Sequence, residues 1–416
     1  MKHYLNVCDI KGSEVAPVDV ITFGSPCFPK GTLVSTMDGY KPIEEISVGD
    51  VVLSHQGTWE AVIDAKYTGH KQCLKLKAMG LEEIIATPNH RFYIRKANGE
   101  IGWYPLDEVT VGDYVGVPEI KTELNPLEIT PAEAWLIGRY IADGYVRDGQ
   151  RPDRPDGSCY RQTIFCIGND KRDEFESHLN TYKFGKSQSN NCTKYIICDT
   201  RLFGLCKLCG KGAINKCIPP ILLNLPKHIL SELIWGYISG DGSLVDGKYT
   251  ANSISRNLIY SVGQAVVKAL NVPYSIYKTK VSPTKEIEGR IVNQQPYYSI
   301  RFKLSHSDRD QAFYDSGYVW LPVREVCADQ KYPVYDLTVA DKHSFCVFNI
   351  AVHNCQDLSL AGKRRGMHHS EMGDDDTTRS GLFMEAIRII REMRESTQGK
   401  SPRYAVWENV YGALSS

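Results

Sequence analysis

The chain has 416 residues, 42% of them hydrophobic, with 49 Lys plus Arg set against 49 Asp plus Glu. That is too long for one ordinary core and too apolar for disorder, so two or three folded domains are expected. A net charge of zero excludes a uniformly basic nucleic-acid coat and leaves local basic surfaces to be found segment by segment.

No apolar stretch approaches the roughly 18 to 20 residues that cross a bilayer, and the start MKHYLNVCDIKG has no hydrophobic signal core. No membrane contact is expected, and the expected compartment is the cytosol. Thirteen cysteines, an odd number, then point to thiol chemistry or small buried hydrophobes rather than a disulfide framework.

From Cys27 to about Pro118, short β-prone runs (GTLVST, VVLS, AVIDAKY, CLKLKA, EEIIAT, RFYIR, DYVGV) alternate with Gly, Asp, Asn and Pro turns, which predicts a compact all-β unit. Between about 126 and 310, helical spacing in PAEAWLIGRYIADG and LPKHILSELIWGYISGDG alternates with strand-like RQTIFCIG, KYIICD and PYYSIRFKL, a mixed α+β texture. Strand signals return in KYPVYDLTVADKHSFCVFNIAVHN, and RSGLFMEAIRIIREMRE is helical and charged. The expected organisation is a β unit (27–125 and 311–354) interrupted by an α+β insertion (126–310) and flanked by segments 1–26 and 355–416.

LIGRYIADG (136–144) and IWGYISGDG (234–242) repeat the same frame, which predicts a duplicated half-domain with a pseudo-twofold axis. Gly138 with Ala142, and Gly236 with Gly240, lie four apart on one helix face and would let two backbones approach closely. Paired this way, the helices bring Asp143 and Asp241 together where both helix dipoles are already negative, an arrangement that needs a cation. Oxygen ligands and a wet, incomplete shell favour Mg²⁺, which would polarise a phosphodiester and activate water. The insertion holds about 25 Lys plus Arg against about 18 Asp plus Glu, the local positive charge that phosphate binding requires. The duplicated segment resembles the LAGLIDADG homing endonucleases in their single-chain, two-motif form. The resemblance implies two αββαββα halves whose sheets form a saddle on double-stranded DNA, a monomer, Asp143 and Asp241 as metal ligands, and Lys216 in NKCIP as a charge-stabilising lysine.

Cys27 follows FGSP, and the β unit ends in His353-Asn354 before Cys355. A thiol at Cys27 can attack the Pro26 carbonyl, Cys355 can capture the acyl group, and Asn354 can cyclise onto its own carbonyl to release the chain. Thr87-Pro88-Asn89-His90 offers a hydroxyl, an amide and an imidazole for the proton donor and oxyanion partner that such an attack needs. This constellation resembles a cysteine-initiated intein: CFPKGTLVSTMDGYKPIEEISVGDVVLS is similar to the first splicing block, ATPNHRF to the second, and VYDLTVADKHSFCVFNIAVHNC to the last two. The resemblance implies a horseshoe-like β Hint fold over 27–354. Thr87 and His90 would promote the first acyl shift, Asp336 would coordinate attack by Cys355, and His343 and His353 would assist Asn354. Pro26 restricts approach to the first carbonyl, so slow first-step chemistry is expected.

Joined, the flanks read VDVITFGSPCQDLSLAGKRRGM and later YAVWENVYGALSS, similar to DNA cytosine-5 methyltransferases. The resemblance implies α/β flanks, Cys355 as the nucleophile toward cytosine C6, Glu408 as the base-contacting acid, and S-adenosylmethionine as the cofactor of a complete host. Only a fragment is matched, and methyl transfer by this chain alone is not expected. Two further clusters read as structural: MHHSEMGDDDTTRSG as a solvated loop, and Cys206-x-x-Cys209 with Cys198 and Cys217 as packing thiols rather than a zinc site. A splicing element whose inserted domain binds DNA without cutting it, or a methyltransferase fragment interrupted by an inert element, remains the alternative.

Overall fold

The computed structural model describes residues 11–18, 20–23, 26–150, 159–188, 191–282, 284–287, 290–305, 311–354 and 381–407. The β unit is a thirteen-stranded sheet wound around a shared core. Its frame is one long antiparallel pairing, Trp59–Ala78 against Tyr318–Val339, which joins segments on either side of the insertion. AVIDAKY and CLKLKA, two runs in the sequence, thus belong to a single strand. Gly69 takes φ 93° between them, and the opposing strand shifts register between Pro333 and Tyr335, so the chain kinks without leaving the ladder. The expected strands at Leu33–Thr36, Val51–Leu53, Ile84–Ala86, Arg91–Arg95 and Tyr114–Pro118 are present, and Gly39–Pro42 and Ile101–Pro105 are additional.

The C-terminal end of the β unit is the hairpin Ser344–Val347/Ile350–His353, whose strands pair with Leu33–Thr36 and Arg91–Arg95 respectively. Phe28–Pro29 pairs with Tyr335 and Val334. Both ends of the unit are therefore laced into one ladder, with Phe28, Phe92, Phe345 and Val352 fully buried between them.

In the insertion, the first half runs helix Pro131–Asp143, strands Gly144–Gln150 and Cys159–Gly168, helix Arg172–Ser177, strands Phe184–Gln188 and Cys192–Ile197, and helix Thr200–Leu208. The second half runs helix Lys227–Asp241, strands Gly242–Val245 and Lys248–Ser253, helix Arg256–Leu270, then strands Tyr274–Thr279 and Tyr297–Phe302 around a small hairpin, Thr284–Ile287/Arg290–Asn293. Both four-stranded sheets have the same order, as a duplication requires, and among the described residues no closing helix follows the second. Thr130 caps the first motif helix through a capping box with Glu133, with Pro131 at its first position.

The two motif helices pack backbone to backbone. A β-carbon on Gly138 would lie 2.0 Å from the Leu233 carbonyl oxygen, one on Gly236 2.0 Å from that of Trp135, and one on Gly240 2.2 Å from Ala142 Cβ. Only glycine fits these places.

The insertion is stitched to the β unit by Arg256–Glu82 and Lys227–Glu119, each at 2.7 Å, and by Trp59 Nε1 donating to Asn224. The tightest joint is Asn349, fully buried at the tip of the C-terminal hairpin with φ 68°. Its side chain accepts from Tyr40 OH (2.5 Å) and donates to the Tyr260 carbonyl (3.0 Å) and to Tyr274 OH (2.8 Å). The flanks also meet: Val20–Phe23 pairs in parallel with Tyr404–Trp407, and Gly12 N–H donates to Glu392 on the helix Gly381–Ser396.

Gly138→Val should separate the motif helices and cost at least about 3 kcal/mol, seen as earlier thermal unfolding of the insertion and faster proteolysis within it. Asn349→Ala leaves buried partners unsatisfied and should destabilise the chain by about 2–4 kcal/mol, measured by urea unfolding of a Cys27→Ala/Asn354→Ala protein.

Candidate functional site

Cys27 is fully buried where the first short strand meets the long pairing. Its backbone N–H, the nitrogen of the Pro26–Cys27 bond, donates to Thr87 Oγ1 at 2.9 Å, and Thr87 N–H donates back to the Cys27 carbonyl at 3.0 Å. Thr87 therefore grips the residue whose amine would leave. The thiol lies 2.8 Å from Thr68 Oγ1 and 3.5 Å from Lys71 Nζ. Burial, followed by the charge of Asp336, pushes the thiol up to about 12, while Lys71 and Thr68 draw it down. Asp336 has a fully buried carboxylate with Lys66 Nζ 3.9 Å away.

His90 ends a turn begun at Thr87, its N–H donating to the Thr87 carbonyl at 3.0 Å. Its ring packs 4.1 Å from that of Phe28 and is fully buried. Burial, then the neighbouring His353, holds it down to about 3, so the imidazole is neutral at physiological pH. Asn89, between them, is exposed.

At the other junction, Asn354 is 2% exposed. Its N–H donates to the His343 carbonyl at 2.9 Å and its side-chain Nδ2 donates to the Val339 carbonyl at 3.2 Å. His353 Nδ1 lies 2.7 Å from the Asn354 carbonyl oxygen, where its N–H tautomer donates to the group that cyclisation attacks. His343 holds φ 49° and its Nδ1 lies 3.2 Å from the Val339 carbonyl, so it shapes the same turn. Sequence reasoning missed His55, which shares Trp103 with His353, at ring distances of 5.0 and 4.9 Å. It is held to Ser344 Oγ at 2.7 Å, and burial lowers it to about 4. Nothing in HQGTWE signals this, because the contact depends on the distant hairpin. Phe28, beside Cys27, meets the His90 ring, and His353, beside Asn354, bears on the same buried imidazole, so His90 links the surroundings of the two junctions. Cys355 and Glu408 lie outside the described residues, as does all of MHHSEMGDDDTTRSG but its last glycine.

Asp143 and Asp241 end the paired helices. Desolvation and the like charge of Asp143 raise the Asp241 carboxyl to about 6, against the pull of Arg139, Lys216 and Lys171, yet the residue stays open to solvent. Lys216 is buried over the Tyr140 ring and donates to the carbonyls of Tyr140 and, at 3.0 Å, Gly144, the end of the first helix. Burial lowers it to about 8. Lys171 mirrors it at the second helix, donating to the carbonyls of Ser239 (2.5 Å) and Gly240 (3.1 Å). The sequence reading also passed over Arg139, one turn before Asp143, which is 1% exposed and pairs with Asp143 Oδ2 at 2.8 Å. Cys206 and Cys209 are buried with thiols pushed well up by desolvation, as packing residues are.

A family profile described as intein splicing domain matches residues 35–354, and one described as C-5 cytosine-specific DNA methylase matches 341–416. An iron–sulfur cluster assembly SufBD family protein of Mycobacterium tuberculosis is 23% identical, covering 79% of this chain and 43% of its own length. An ATP-dependent DNA helicase, Hel308, of Thermococcus kodakarensis is 24% identical over 81% of this chain and 37% of its own. An uncharacterized protein of Methanocaldococcus jannaschii is 23% identical, over 79% and 50%. The chain thus spans half or less of the length of these curated relatives. Among solved structures, a DnaB intein from Synechocystis aligns at 10% identity and TM-score 0.30, covering 79% of this chain and 99% of that one. The homing endonuclease I-DmoI in complex with DNA and Ca aligns at 11% and TM-score 0.30, covering 42% and 83%. With the first profile running through most of the sequence and ending at Asn354, this chain belongs to the intein splicing domain family.

Proposed function

We propose that this chain excises residues 27–354 and joins its flanks through Cys355. The observation that carries the reading is that each junction is gripped by a side chain suited to its chemistry, Thr87 on the Cys27 nitrogen and His353 on the Asn354 carbonyl. The Cys27 sulfur attacks the Pro26 carbonyl; a C–S bond forms, the C–N bond breaks, and the amine gripped by Thr87 takes the proton. The Cys355 thiol then accepts the acyl group, with Asp336 coordinating its approach. Asn354 Nδ2 closes on its own carbonyl, His353 donating to the developing oxyanion, and the Cys355 amine is released to recapture the acyl group as an amide. His90, neutral and buried, supports the turn that places Thr87, and His343 the turn that places Asn354. A reducing, cytosolic compartment suits this thiol chemistry.

For the insertion, the reading is a monomeric homing endonuclease that makes a site-specific double-strand cut in the uninterrupted methyltransferase gene. Exposed Arg147 and Lys194 on the first sheet and Lys278 and Arg301 on the second offer cations to phosphates. Asp143 and Asp241, an oxygen-only pair open to solvent, fit a hard divalent cation, and Mg²⁺ held there would supply Lewis-acid activation of water and phosphodiester. Lys216 would stabilise charge beside it. The Arg139–Asp143 pair favours a second reading, an insertion that binds DNA with weak or no cleavage, because Arg139 already neutralises one of the carboxylates. The host, completed by further methyltransferase parts, would use Cys355 and Glu408 on cytosine with S-adenosylmethionine as cofactor.

Expression of the chain should yield ligated flanks and a free 27–354 fragment by mass spectrometry. Cys27→Ala should block cleavage at the first junction, and His353→Ala should slow release at Asn354 by about 10-fold or more; full-length protein alone under reducing conditions would refute splicing. Incubated with the uninterrupted gene and Mg²⁺, the chain should cut both strands, and Asp143→Asn should lose at least about 100-fold of that activity while retaining DNA binding. Binding without cleavage by the unaltered chain would select the second reading.

A further inference from the structure

We propose that Lys71 is a catalytic residue of the first step, its ammonium stabilising the Cys27 sulfur as it becomes an anion and attacks Pro26. The proposal rests on Cys27 being the first nucleophile. In a regular strand, residues 68 and 71 point to opposite faces. Here both reach one sulfur, because Gly69 at φ 93° and the register shift opposite it, between Pro333 and Tyr335, turn the strand by one extra residue. The bulge aims Thr68 Oγ1 and Lys71 Nζ at Cys27 Sγ, at 2.8 and 3.5 Å.

The two contacts differ in kind. Thr68 also reaches the Val334 carbonyl at 3.2 Å, so its single hydroxyl hydrogen is shared between that carbonyl and the sulfur. Lys71 only donates, and its contact strengthens as negative charge grows on sulfur. The other groups around the thiol do not replace it. Asp336 carries the opposing charge and has Lys66 beside it, Thr87 is engaged with the Cys27 backbone, His90 is neutral, and Cys73 is a second buried thiol. Through the step Lys71 keeps its protons: the sulfur–carbon bond forms, the carbon–nitrogen bond breaks, and the thiol proton ends on the departing Cys27 amine.

The experiment uses the full chain with Asn354→Ala and Cys355→Ala, which stops at the thioester, and reads dithiothreitol-induced cleavage at the first junction. Lys71→Met should slow it about 10-fold or more, and Lys71→Arg, which keeps the charge, should recover most of the rate. In a separate Cys27→Ala background, release at Asn354 should be unchanged by either substitution. Wild-type cleavage in Lys71→Met, failure of Lys71→Arg to rescue it, or equal slowing at both junctions would overturn the proposal. Cleavage that survives Cys27→Ala in the first assay would instead overturn the reading of Cys27 as nucleophile.

Discussion

The whole arrangement depends on the antiparallel pairing of Trp59–Ala78 with Tyr318–Val339 across the insertion. A ladder of this length fixes which residues of the two segments face each other, since a one-residue slip would turn every side chain to the other face. It sets Val334 and Asp336 against Cys27, and its far end supplies the Val339 carbonyl that holds Asn354. The irregularities in the ladder are as consequential as its regular parts, because the bulge at Gly69 is what turns two positions of opposite faces toward a single sulfur.

Burial at this junction works against the chemistry as well as for it. Enclosing Cys27 beside Asp336 suppresses the thiolate. The same enclosure strengthens each aligned donor and cation that remains, so the proposed chemistry would rest on a few contacts, from Thr87, Thr68, Lys71 and His353.

Much of this was legible in the sequence because its signals are local. The glycines four apart on each motif helix encode a close approach that depends only on helical periodicity, and the helices do meet through Gly138 and Gly236. Thr87 and His90 could be singled out because they share one short turn, and His353 and Asn354 because they directly precede Cys355, although some contacts they make, such as Thr87 with Cys27, come from distant strands. What escaped has a different physical origin. Lys71 reaches Cys27, 44 residues away, only through a strand bulge, and His55 acquires Ser344 from a hairpin 289 residues away. Asn349 looks like a hairpin-tip residue until Tyr40, Tyr260 and Tyr274 close over it. Arg139 did carry a local signal, lying four residues before Asp143, where an ion pair is sterically natural.

The parallel strands Val20–Phe23 and Tyr404–Trp407 are hydrogen-bonded across the whole intervening element. The two flanks are thus held as neighbours while they are still separate in sequence. Under the proposed splicing, the new peptide bond would close a connection between partners already docked, and the departing element would not need to carry folding information for what it leaves behind. Assembly of the joined flanks would then be indifferent to dilution and to how slowly the proposed first step proceeds.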